Sequence, residues 1–196
     1  MGWSLSWAAL KGGNLETVCS LLGLRPTGKF EGLGESKISG TALAGGWYVV
    51  VFNRTEINDR KLKQVSPGGE VVGCFVEEHV MFSSAACWKD GQQVWRVFHN
   101  GGDEGAEHLE TSGRLPAEFE SIRKQQFAKQ QEENAAGDEL GVDHVFEIPL
   151  NLAKSLTGFR HDDPLSGLVD DGFEALETAK PPTGFFGRLF GRGGNQ

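Results

Sequence analysis

The chain has 196 residues, 38% of them hydrophobic, with five Trp and a formal net charge of −8. That length can bury one sizeable core, and no run approaches the roughly 20 apolar residues of a membrane-crossing helix. The acidic balance repels phosphate backbones and argues against a nucleic-acid partner. Three cysteines cannot pair completely. Cys19, Cys74 and Cys87 each lie on an apolar run and lack Cys-x-x-Cys spacing, so they are expected as small buried hydrophobes in a reducing, cytoplasmic setting. The start lacks the charged flank and apolar length of a secretory signal. Met1-Gly2-Trp3-Ser4-Leu5-Ser6 matches the loose myristoylation pattern, but a first strand accounts for it better.

Gly2 to Leu10 is predicted as a strand with Trp3, Leu5 and Trp7 on one face. Asn14 then caps a short amphipathic helix in which Leu15, Val18, Cys19 and Leu22 share a face, and Gly23 ends it. Residues 25–46, rich in Gly, Ser and Thr, are expected as a long loop with at most one irregular strand. Gly46 to Asn53 is a continuous apolar β run, hence a buried strand. One or two helical turns are expected over 56–65 and a turn at Ser66-Pro67-Gly68-Gly69. A second buried strand follows over Glu70 to Val76.

The best-defined feature is a hairpin, with Asp90-Gly91 between two β-rich runs. A plain two-residue loop pairs Lys89 with Gln92, Ala86 with Trp95 and Phe82 with His99. It sets Phe82, Ser84, Ala86, Trp88, Trp95, Val97 and His99 on one face. Asn100 to Gly105 is expected as a loop and Ala106 to Thr111 as an edge strand. Pro116 opens a polar helix that runs to about Asn134. Asp143 to Ile148 is expected as another strand, and Pro149 to Gly158 as a short helix. The predicted fold is α+β: a mixed, mainly antiparallel sheet of five to seven strands with two or three packed helices. Residues 1–165 form a single domain in this reading, and 166–196 a weakly structured C-terminal extension ending in GFFGRLFGRGGNQ. Trp47, Val49, Val51, Val72, Phe75, Phe82, Trp95 and Val97 are the expected core.

Three groups of residues carry chemistry. His99, His108 and Glu110 form a metal site if the strand pair after His99 is in register, the basis of an alternative reading as a small metal-assisted hydrolase. Glu77 and His79, two apart on a strand, point the same way and suit general acid–base work. Arg160, His161 and Asp162 follow a helix end and offer a polar binding cluster. None of these has a diagnostic spacing, no cofactor is implied, and the glycine-rich pieces lack the strand, lysine and helix context of a phosphate loop.

The charge distribution is more telling. Residues 100–147 hold 12 acidic and 4 basic side chains, a balance equal to the whole −8. The first reading is therefore a non-enzymatic interaction protein that presents Glu118, Glu120, Glu132 and Glu133 to a basic protein or peptide. A small acidic immunity protein that neutralises a basic toxin fits that description.

Overall fold

The computed structural model describes residues 2–136, 141–163, 168 and 172–179. In chain order the elements are β1 (Ser4–Lys11), α1 (Leu15–Leu22), β2 (Leu24–Glu31), β3 (Ile38–Leu43), β4 (Trp47–Asn53), α2 (Asp59–Val65) and β5 (Glu70–Glu77). A 3-10 turn (Glu78–Val80) precedes β6 (Phe82–Lys89) and β7 (Gln92–Asn100). Then come α3 (Gly101–Glu104), β8 (Glu110–Gly113), α4 (Phe119–Ala136), α5 (Glu147–Thr157) and β9 (Phe173–Thr178). The α+β class is as expected. The sheet is larger, with nine strands in the order β2-β9-β3-β4-β1-β5-β6-β7-β8, and every pairing is antiparallel.

β1 runs through the middle of the sheet, paired with β4 on one side and β5 on the other. Strands with two apolar faces need a layer on each. On one face Leu5, Trp7, Val49, Val51, Val72, Val97 and Trp95 pack under α5, whose Ile148 and Leu152 are fully buried. The Trp7 ring meets the edge of Phe159 at 5.3 Å, just past the end of α5. On the other face Ala8, Leu10, Val50, Phe52 and Val71 pack under Val18 of α1 and Leu62 of α2. α4 buries Phe119, Gln126 and Gln130 together, which explains its thin apolar side in the sequence. All three cysteines are free and buried. Burial pushes the Cys74 thiol up to about 12 and the Cys87 thiol up to about 11, so neither is a ready thiolate.

Several expectations are met at the level of single residues. Asn14 accepts from the Thr17 N–H at 2.8 Å, and Gly23 and Gly158 end their helices in the left-handed conformation. Asp90 and Gly91 both have positive φ, as the tight hairpin turn requires.

The hairpin itself departs from the plain register. Lys89 faces Gln92 and Trp88 faces Gln93, but Cys87 faces Trp95, so Val94 is an extra residue in β7. This β-bulge slips everything beyond it by one. Ser83, Ala85 and Cys87, not Phe82, Ser84 and Ala86, share the α5 side with Trp95, Val97 and His99. Phe75 and Phe82, expected in the core, lie on the opposite side and are half-buried, in a row with Phe98 at ring distances of 5.6 and 6.1 Å. The bulge brings the Val94 carbonyl against Gly113, which has φ 77°; a Cβ there would collide with that oxygen.

Three further segments differ from expectation. Residues 25–46 hold two strands, not a loop. β2 is an exposed edge strand with Pro26 and an irregular register up to Phe30, so it shows no alternation. β3 buries Ser39 and Thr41, which reads as polar in sequence. Asp143 to Ile148 is not a strand: Asp143 Oδ1 accepts from the Phe146 N–H at 3.0 Å, which turns the chain into α5 at Glu147. Phe173–Thr178 lies inside the sheet as β9, between β2 and β3, although that segment falls in the expected weak extension. The GFFGRLFGRGGNQ tail is outside the described residues. Among the described residues no helix is long and apolar enough to cross a membrane.

Candidate functional site

The β7–β8 pairing sets Phe98 opposite Glu110 and Val97 opposite Thr111. That register separates the expected metal ligands. His99 points to the buried side, while the His108 ring lies tilted against Phe98 at 5.4 Å with its Nε2 3.4 Å from Glu110. His108 Nδ1 accepts from the Asn100 N–H at 2.9 Å. His99 is fully buried, and both of its ring nitrogens lie against oxygen acceptors: Nδ1 is 2.6 Å from the His108 carbonyl and Nε2 is 2.9 Å from Asp143 Oδ2. With both ring nitrogens occupied by these oxygens, His99 ties β7, the α3–β8 loop and the start of α5 together. Among the described residues no three His, Cys, Asp or Glu side chains are gathered as metal ligands.

The same edge concentrates negative charge. Asp103, Glu104, Glu107 and Glu110 are exposed around α3 and β8, and among the described residues only Glu110 has an ion-pair partner, His108. Asn134 near the end of α4 donates to Glu107 at 3.0 Å, which brings Glu132 and Glu133 to the same region. Glu133 also lies 3.7 Å from His144. Glu118 and Glu120 stand at the other end of α4. Arg123, Lys124 and Lys129 come between, and Arg123 pairs with Glu120 at 3.3 Å. The acidic excess is therefore strongest at the β8 edge and the end of α4, not along the whole helix.

A second centre lies at the same end of the sheet, where β1 begins and β5 ends: Ser4 faces Glu77, Glu77 faces Phe82 and Phe82 faces Asn100. Ser4 faces Glu77 across the β1–β5 ladder, and its hydroxyl donates to Glu77 Oε2. His79 Nδ1 and its backbone N–H both donate to Glu77 Oε1, at 2.7 and 3.3 Å. These bonds, the Ser4 hydroxyl first, hold the Glu77 carboxyl below the usual carboxylate range. The expected Glu77–His79 pair is thus formed. It lines a cavity of about 550 Å³ together with Trp3, Ser4, Asn53 and Arg54. Nothing in the sequence joins Trp3, Arg54 and His79. The β1–β4 and β1–β5 registers bring them together by setting Leu5 against Asn53 and Ser4 against Glu77.

Arg160 and His161 turn inward. The Arg160 guanidinium binds Asp162 with two nitrogens, Glu147, and Asn151 at 2.7 Å. Burial alone would lower its basicity, but these carboxylates hold it raised, and Arg160 in turn lowers the Asp162 carboxyl against the opposing effect of burial. His161 is 1% exposed, meets the edge of Trp3 at 5.6 Å, and among the described residues neither ring nitrogen has a hydrogen-bond partner. Glu78 Oε1 is 3.8 Å away, with Arg160, Asp162 and Glu147 also close. Burial lowers the His161 pKa, so folding holds the ring neutral.

That fixes a sign. The unfolded chain takes up a proton on His161 as pH falls through about 6.5, before the folded chain does, so stability is lost on acidification. Urea melts at pH 7.5 and 5.5 are expected to show wild type losing stability at the lower pH, and His161→Phe losing clearly less. An identical pH dependence in the two chains would refute this assignment. Compared with protein-family models, curated proteins and solved structures, the chain matches none.

Proposed function

We propose that the protein is a non-enzymatic binding protein that takes a strand of a basic protein or peptide at its β8 edge. One observation carries the reading: among the described residues β8 pairs only with β7, all four of its residues are exposed, and Asp103, Glu104 and Glu107, which make no ion pair among the described residues, flank it. An open strand edge supplies a row of backbone donors and acceptors for an incoming strand. The surrounding carboxylates select a positive one and speed its arrival, in a salt-dependent way. Glu132 and Glu133 extend this surface, while Glu118 and Glu120 sit too far along α4 to join it. The reading fits an acidic protein that masks a basic partner, as an immunity protein masks a toxin.

The test uses a ten-residue peptide of alternating lysine and valine, with the glutamate–valine counterpart as control. The lysine peptide is expected to bind, and its affinity to fall severalfold or more between about 50 and 300 mM salt. Reversal of Asp103, Glu104 and Glu107 to lysine should abolish binding without changing the melting temperature. Equal binding of the glutamate peptide, or a triple reversal without effect, would remove the β8 edge from the account.

A further inference from the structure

We infer that the cavity at the start of β1 is a binding site for a small organic anion, a carboxylate or phosphate carried on a planar ring. This does not rest on the β8 edge, which lies on other strands. The volume of about 550 Å³ is that of a small-molecule site. The Trp3 indole forms one wall, an apolar surface on which a flat ring stacks. Arg54 supplies the charge. It is exposed and, among the described residues, makes no ion pair, so its guanidinium fork is available for a carboxylate or phosphate.

Two further features mark this as a built site. Arg54 has a φ of 53°, the left-handed conformation that suits Gly or Asn, while its backbone N–H donates to the Ser4 carbonyl at 2.8 Å. A long cationic side chain held in strained backbone at a cavity is the pattern of a functional position. Among the described residues, the one carboxylate lining the cavity is already engaged. Ser4 holds one oxygen of Glu77 and His79 the other, so its charge is partly compensated instead of facing the ligand bare. The Glu77 bond in turn fixes the His79 ring at the cavity wall.

Phenyl phosphate, benzoate and benzylamine serve as probes, followed by ¹H–¹⁵N NMR on the Trp3 indole resonance, which Trp3→Phe identifies. At least one of the two anions is expected to shift that resonance saturably, and benzylamine is not; whichever anion binds more tightly names the source of the charge. Arg54→Asn tolerates the left-handed backbone and should keep the melting temperature while weakening binding about tenfold or more. If Arg54→Asn is unstable, Arg54→Gly, which relieves the strain outright, should show the same loss. The proposal is overturned if neither anion binds up to about 10 mM. It is equally overturned if benzylamine binds as well, or if the neutral variants keep their affinity.

Discussion

Replacing Trp95 with alanine is expected to lower the free energy of unfolding by about 3–5 kcal/mol. The indole is 3% exposed and sits in the core under α5 with Val97, Val72 and Cys87. It follows immediately after the bulge residue Val94 and faces Cys87, so the extra residue is what turns it inward. β7 is hydrogen-bonded on both sides, to β6 and β8, and cannot collapse into the space, which puts the cost toward the upper end of such substitutions. Trp95→Phe should lose distinctly less, because most of the apolar volume remains. Chemical denaturation followed by circular dichroism measures both. A loss under about 1 kcal/mol for Trp95→Ala would mean that the indole does not fill the core as described.

The second large effect is expected at Asp143. Asp143→Ala leaves the fully buried His99 without its Nε2 partner and the Phe146 N–H without its cap. Leaving a buried polar group without its hydrogen-bond partner costs about 1–3 kcal/mol, and the lost cap at Phe146 adds about 1 kcal/mol more. The pair can also be broken without touching either member. At Gly101 a Cβ would stand 2.5 Å from both Asp143 Oδ2 and His99 Nε2, so Gly101→Ala should destabilise in the same direction. If both variants melt within about 1 kcal/mol of wild type, the contact is incidental and the β7–α5 connection rests on apolar packing alone.

These two sites show what the sequence could and could not reveal. Trp95 was recognisable as core because it lies in a β-rich run next to an unmistakable Asp-Gly turn. Its strand partner was not, since a bulge is one extra residue with no composition of its own. Asn14, Gly23 and Gly158 act through their own backbone or nearest neighbours, so local chemistry identified them. Asp143 acts across 44 positions on His99. The apolar Val145, Phe146 and Ile148 beside it read as a strand while serving the entry into α5. The Glu77–His79 pair was visible at its two-residue spacing. The cavity it borders was not, because Trp3 and Arg54 reach it only through β1's two long-range pairings. Of β2 and β3 only one irregular strand was expected, because exposed or small polar residues leave little hydrophobic pattern where a neighbouring strand supplies the order; β9 went unseen because its short apolar run, Phe173, Ala175 and Leu176, lies in a segment otherwise lacking pattern.

The place of β9 has a consequence for how the chain is made. Leu24 of β2 pairs with Thr178 of β9, and Ser39 of β3 pairs with Ala175. During synthesis β2 and β3 leave the ribosome early, yet the strand that belongs between them emerges only after some 130 more residues. At usual translation speeds that leaves two facing strand edges unmatched for on the order of ten seconds. β2 is fitted for such a wait: Pro26 lacks a backbone donor and Lys29 is exposed, both of which discourage pairing with another chain. β3, with its apolar ends and small centre, has no such guard and depends on β4, which follows it directly. A chain stopped anywhere before Phe173 therefore offers β3 as a vacant docking edge.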